Sequence, residues 1–241
     1  MMNVAFTFDD GLNDHIEYAV PILEKYGYRG IFCIITDRVG KDGYMTWDNV
    51  RELVRRGHEV AAHSISHKNL YDLWNCGDLN EIQRQIKGSI DRIGSEIISP
   101  VRYFAFPHNA HNGALFKIVR ALGVEPLTPS RMNLGGPPAD GIMQLGKRLS
   151  EMAKRHERHA VLMFHGIASK GCYATYGDGT GDTFERCIAD VKKYDGHSYK
   201  VVRYGEAEWP IEDVHSLSCR IKKKIKRIFQ NFLYGSLRYA I

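Results

Sequence analysis

Residues 4–11 read Val-Ala-Phe-Thr-Phe-Asp-Asp-Gly, an apolar β-forming run that stops on two carboxylates and a glycine. A short run of this kind predicts a buried strand over 4–8 closed by a turn. Working outward, the chain repeats the arrangement. A helix is predicted over 14–26, with Ile16, Ala19, Val20 and Leu23 on one face and a kink at Pro21. A strand over 30–35, a helix over 47–56 ending at Gly57 and a short strand over 59–62 come next. The clearest helix covers 78–93: Leu79, Ile82, Ile86, Ile90 and Ile93 step by three and four, and Asp78 and Glu81 have capping-box spacing. A strand over 103–106, a helix over 113–122 and a strand over 124–127 lead into a Gly/Pro-rich loop through Asp140. Lys147, Arg148 and Arg155 read as helix-face charges. A buried strand over 160–164, a helix over 183–194 and a strand over 199–203 complete the body. Strands alternating with helices, undivided by a repeat or linker, predict an α/β protein with a mostly parallel sheet, barrel or open.

The 241 residues suffice for one large domain or two small ones and for a sizeable core, and 44% hydrophobic with 25% charged residues excludes a disordered or collagen-like chain. No stretch approaches the roughly 20 apolar residues that span a bilayer. Cys33, Cys76, Cys172, Cys187 and Cys219 are scattered and form no C-x-x-C pair, which fits a reducing compartment better than a disulfide framework. The first residues carry neither a basic nor an apolar leader pattern, so the expectation is no signal peptide and a cytoplasmic location.

The net charge of +5 is unevenly spread. Seven of the 33 basic residues and none of the 28 acidic ones fall in 216–241, which leaves residues 1–215 at −2. That nearly neutral body argues against nucleic acid as a partner. In the tail, Leu217, Ile221, Ile225, Ile228, Phe229, Phe232 and Leu233 form a helical stripe opposite Arg220, Lys222, Lys223, Lys224, Lys226 and Arg227. Such a helix is expected to lie peripherally on an anionic membrane surface at the cytosolic face; packing on the body or on a partner subunit is the competing expectation. The chain thus divides into a body over 1–212 and an amphipathic basic tail over 213–241.

In α/β folds chemistry sits on loops at the carboxyl ends of strands. Three polar groups fall there: Asp9-Asp10, His63-Ser64-Ile65-Ser66-His67 and His165-Gly166. On a helical turn, His63 and His67 share a face and can clasp one ion. Two imidazoles and one carboxylate leave positions open, the pattern of a catalytic zinc site. Of two adjacent carboxylates, one can bind the ion while the other takes a proton from water, and His165 could protonate a leaving amine. His108, His111, His156 and His159 read more simply as solvated histidines. Gly177-Asp178-Gly179-Thr180-Gly181-Asp182 reads as a loop ending in an N-cap, and Tyr173 and Tyr176 as aromatic rings available for stacking.

Thr7-Phe8-Asp9-Asp10-Gly11 and His63-Ser64-x-x-His67 resemble the first and second motifs of the polysaccharide deacetylases, carbohydrate esterase family 4 (the NodB-homology group). Phe104-Ala105-Phe106-Pro107-His108-Asn109 resembles the third motif, and Leu162-Met163-Phe164-His165 the fifth. The resemblance covers roughly residues 2–208. It implies a distorted (β/α)7 barrel as the catalytic domain and a divalent metal, Zn²⁺ first, with Co²⁺, Ni²⁺ or Mn²⁺ also compatible. It further implies removal of an N-acetyl or N-formyl group from a sugar or glycan. By resemblance Asp9 is the base, Asp10, His63 and His67 the metal ligands, and His165 the acid, with Pro107 and His108 at the substrate. With a tail on the membrane, the substrate could be a lipid-linked glycan intermediate. Two departures stand out. Ala105 occupies the place of an arginine that orients the base, Arg102 being out of register, and no Asp-Trp element supports His165, Asp140 being a poor candidate. They keep open a catalytically silent sugar-binding barrel, and an amidase acting on non-sugar amides such as ureides.

Overall fold

The computed structural model describes residues 1–128, 131–133, 144–168 and 180–209. The tail, Asp140, Tyr173 and Tyr176 lie outside them. β1 (Met2–Phe8) is followed by a π-helical turn (His15–Ala19) running into α1 (Val20–Lys25). Then come β2 (Ile31–Ile34), α2 (Trp47–Arg55), β3 (Glu59–Ala62), α3 (Leu70–Cys76), α4 (Leu79–Ile97) and β4 (Tyr103–Phe104). α5 (Gly113–Ala121), β5 (Glu125–Pro126), β6 (Arg131–Asn133), α6 (Leu145–Lys154), β7 (His159–Phe164), α7 (Asp182–Lys192) and β8 (Tyr199–Val201) complete the order. Among the described residues no helix is long and apolar enough to cross a membrane.

Local chemistry explains where elements start. Thr46 and Asn49 make a reciprocal capping box at α2. At α4 only half of the expected box forms: Asp78 accepts the Glu81 N–H at 3.1 Å, while the Glu81 carboxylate turns to Lys68, Arg84 and Gln85. Pro21 lies within one continuous helical run: the wider π turn precedes it, Ala19 and Val20 are already helical, and its missing N–H falls where the winding passes from π to α. The residue capping α7 is Gly181, without a side-chain bond. α3 and β6 were not legible in the sequence pattern.

Every pairing between named strands is parallel, in the order β5-β4-β3-β2-β1-β7-β6, with β8 against the start of β1. β1 is central. β7 pairs along its residues 3–8, and its other edge is shared by β8 and β2. The edge strands β5 and β6 are consecutive in the chain, five residues apart. Five residues reach no further than roughly 17 Å, so the two ends of the sheet must curl toward each other. The result is the expected distorted (β/α)7-type barrel, with a seam between β5 and β6.

Side-chain alternation sorts the barrel into two cores. Val4, Phe6 and Phe8 point outward under the helices with Phe32, Ile34, Phe104 and Phe164. Phe8 stacks on Phe32 and Phe164 with centroids at 4.7 and 5.3 Å. Burying each such ring contributes about 1.5–3 kcal/mol. The opposite parity faces the interior, where Ala5, Cys33, Ala61, Ala105 and Val161 meet Tyr204, inserted from beyond β8. Ile31 and Leu127 complete this inner cluster, in which four of the eight buried side chains are alanine or cysteine. Continued past the strand ends, the inward parity is that of Asp9, His63, Pro107 and His165.

Candidate active site

The turn after β1 is built on two successive left-handed residues, Asp10 (φ 79°) and Gly11 (φ 72°). Glycine takes this conformation freely; an aspartate held in it is strained. Among the described residues seven non-glycines have positive φ, and five of them (Asp10, Ser64, His67, His108 and Asn109) lie at these strand ends. Backbone strain therefore gathers where the polar groups do, which is how it behaves at functional sites.

The left-handed Asp10 turns its carboxylate toward the loop after β3. Its Oδ1 lies 3.6 Å from His63 Nε2 and 3.4 Å from His67 Nε2. One ligand-capable atom from each of Asp10, His63 and His67 falls within 4.8 Å of the others. The histidine spacing does not arise from a helical turn as expected. Ser64 (φ 63°) and His67 (φ 61°) coil the segment into a loop, and the two rings meet edge to face with centroids 4.9 Å apart. Hydrogen bonds hold that loop: the His67 N–H donates to Ser64 Oγ at 2.9 Å, and the N–H groups of Ile65 and Ser66 donate to Oε1 of buried Gln85 at 3.0 and 2.9 Å.

These three residues fit a divalent ion. His63 Nδ1–H donates to the Ala105 carbonyl at 2.9 Å, which turns Nε2 toward Asp10. Burial, then neighbouring His63, lowers the His67 pKa to about 4, so its ring is neutral at pH 7 with a lone pair to give. Burial disfavours the Asp10 carboxylate, but His63 beside it outweighs that and keeps it ionised. Buried Asp10 Oδ1 has no hydrogen-bond donor among the described residues. A buried carboxylate oxygen without a donor, facing two imidazole nitrogens, is the donor set of an open zinc-type site.

Asp9 has a different partner from Asp10. Its Oδ1 accepts from Arg131 on β6 at 2.6 Å, with side chains 5% and 2% exposed. Burial pushes the Asp9 carboxyl up. The Arg131 guanidinium, then His63 and His165, outweigh it and hold the group below the usual carboxylate range. Cys33 lies in the interior beneath, and burial with the Asp9 charge keeps its thiol protonated. Arg131 thus puts a guanidinium on this aspartate although Ala105 stands where the third motif carries its arginine. Sequence reading missed it, because a cation on a three-residue strand leaves no periodic signal and its partner is 122 positions away.

The other predicted residues separate. His165 directly follows β7, whose last residue Phe164 pairs with Phe8, the residue before Asp9. Buried Pro107 opens a 3₁₀ turn, in which left-handed His108 donates through Nε2 to the His67 carbonyl at 3.3 Å and packs its ring 4.5 Å from that of His67. His111 stacks on Phe116 at 4.8 Å and His159 packs edge-on against Trp209, so both are half-buried packing residues rather than the solvated histidines expected.

Comparison with known proteins accords with this geometry. The polysaccharide deacetylase family profile matches residues 2–127. A chitin deacetylase from Arthroderma benhamiae is 28% identical over 122 residues, 49% of this chain and 31% of that one. The chain spans only 18–31% of the curated relatives it matches. Among solved structures, a family 4 acetyl xylan esterase from Clostridium thermocellum in complex with a cobalt ion superposes with a TM-score of 0.62 at 19% identity, covering 85% of this chain and 89% of that one. BA3943 of Bacillus anthracis, a pseudoenzyme of the same family, gives 0.61 at 18% identity, covering 84% and 64%. A parallel, curled sheet covered by helices is the fold that these solved structures share with the chain. The protein belongs to the polysaccharide deacetylase family, carbohydrate esterase family 4.

Proposed function

We propose that the protein is a metal-dependent hydrolase that removes an N-acetyl, or N-formyl, group from a sugar. The observation that supports this reading is the convergence of ligand-capable atoms from Asp10, His63 and His67 beside a second carboxylate, Asp9, that is paired with a cation. Asp10, His63 and His67 would hold the ion, Zn²⁺ by donor preference, with Co²⁺, Ni²⁺ and Mn²⁺ compatible. When bound, such an ion supplies Lewis acidity at the acyl carbonyl and at the attacking water. Asp9 takes a proton from that water as its oxygen adds to the acyl carbon. His165 gives a proton to the departing amine as the C–N bond breaks. Pro107 and His108, bordering the histidine pair, contact the sugar.

The test is acetate or formate release from N-acylated sugars, free and lipid-linked, beside cyclic ureides, with Zn²⁺- or Co²⁺-loaded protein. Release from a sugar is the expected result. With the ion bound, release from no sugar would overturn the reading in favour of a pseudoenzyme, and ureide cleavage alone would reassign the substrate. His165→Ala is expected to slow release by roughly 10²–10⁴-fold, the usual contribution of a positioned acid, while ion binding is kept. Unchanged rates in that variant would leave His165 as a strand-end structural residue.

The basic tail supports a location at the cytosolic face of a membrane and a lipid-linked substrate. The full chain is then expected to sediment with vesicles containing anionic lipid, less so at high salt, and removal of 216–241 is expected to release it with ion binding intact. Equal, negligible sedimentation of both would remove the argument for a lipid-linked substrate.

A further inference from the structure

The acid assigned to His165 has an unusual support. Its buried Nδ1 has no hydrogen-bond partner among the described residues, so none of their side chains orients the imidazole by that nitrogen. The main chain around it is held instead, by two consecutive side chains from the turn after β1. Oδ2 of buried Asp14 accepts the N–H of Ile167 at 2.7 Å and of Ala168 at 3.0 Å. His15, wholly buried, donates through Nε2 to the His165 carbonyl at 2.7 Å. Its Nδ1 has no partner among the described residues, so the ring carries one proton and spends it on that carbonyl. Burial is the largest influence on this ring and keeps it neutral.

The ring is itself fixed. Phe8 packs against it at 5.4 Å and Phe32 at 5.9 Å, and it opens the π-helical turn. A π turn is wider than an α turn and recurs at functional sites. The Asp9 N–H also donates to the Phe164 carbonyl at 2.9 Å. Residues 9, 14 and 15 of one short segment therefore hold residues 164, 165, 167 and 168 of another.

We propose that Asp14 and His15 are positioning residues for His165: they pin the loop after β7 and so set the acid imidazole relative to Asp9. This rests on the reading of His165 as the acid that protonates the leaving amine. Neither residue touches substrate. Their contribution is to kcat, because a displaced acid leaves binding and ion affinity untouched while a misplacement of about 1 Å costs roughly 10²-fold.

The experiment compares an N-acetyl sugar, whose amine must be protonated to leave, with an aryl acetate, whose phenolate leaves without a proton. Asp14→Ala and His15→Phe are made in the full, ion-loaded chain. His15→Phe keeps an aromatic ring between Phe8 and Phe32 and tests the idea should Asp14→Ala fold poorly. Both are expected to lower kcat on the amide by roughly 10²-fold at unchanged KM, to leave aryl acetate turnover within about twofold, and to bind the ion as the parent does. Asp14→Asn keeps an oxygen for both N–H groups, and His15→Gln keeps a donor for the carbonyl; each is expected to recover most of the amide rate. Parallel slowing on both substrates would make the clamp a general structural brace, and unchanged amide turnover would make it irrelevant to the acid. Either result overturns this inference while leaving the deacylase reading standing. A parent protein inactive on every amide would overturn that reading and this one together.

Discussion

Asp9→Asn protein is expected to bind a divalent ion as the parent does and to lose turnover by at least roughly 10²–10⁴-fold, the contribution of a positioned proton acceptor. His63→Ala and His67→Ala proteins are expected to bind no ion at all. The division follows from where the carboxylates point. Asp10 Oδ1 lies 3.6 and 3.4 Å from the two imidazole Nε2 atoms, whereas Asp9 Oδ1 lies against Arg131. An amide at position 9 still accepts from the guanidinium but holds no proton-accepting charge. Calorimetric titration with Zn²⁺, set beside acetate release, checks both halves. Loss of the ion in Asp9→Asn with retention in Asp10→Asn would reverse the two roles.

The second large effect is on stability. In metal-free protein, Arg131→Met is expected to destabilise the fold by about 3–5 kcal/mol at neutral pH, because it leaves a buried carboxylate without its cation. The pH dependence has a definite sign. In the parent, Asp9 is held below its unfolded pKa, so it contributes stability above the unfolded value, near 4, that is lost only as pH falls through the lower folded value. Without Arg131, burial pushes the carboxyl up, the aspartate takes a proton in mild acid, and the penalty shrinks. The gap between parent and variant in urea unfolding is thus expected to be largest at pH 7 and smaller near pH 4. Adding Asp9→Asn to Arg131→Met is expected to recover part of the loss, since the buried charge goes with it. A gap under about 0.5 kcal/mol, as for a surface substitution, would mean that this pairing does not hold the site.

The alternation of apolar strands and helical periods was enough to read the fold class, because the inner strands β1, β2 and β7 are buried on both faces and so appear as short unbroken runs, such as 4–8 or 160–164. The residues that converge at the carboxyl end were legible for a related reason: they directly follow those runs. The conformation that brings them together was not. A four-residue spacing of histidines is the same in a helical turn and in the loop coiled by left-handed Ser64 and His67. Arg131, Gln85, Asp14 and His15 escaped notice because their work is done across the fold: Gln85 caps a loop 19 and 20 positions away, and Asp14 one more than 150 positions away. Nothing in their neighbours along the chain announces such partners. A buried amide at an inward helix position, or an Asp-His pair soon after a strand-end carboxylate, is the only cue that could have been used.

β1 is bonded along both edges and lies in the middle of the sheet, and β3 lies two strands away with neighbours on each side. Arg131 belongs to β6, a three-residue strand at one end of the order. Edges open at lower cost than centres, so gentle warming or dilute denaturant acts on them first. The guanidinium would leave Asp9 while the grip on an ion, built on the two inner strands, was still whole. On the proposed reading, a full complement of bound metal would be a poor gauge of competence: the capacity to hold would outlast the capacity to act.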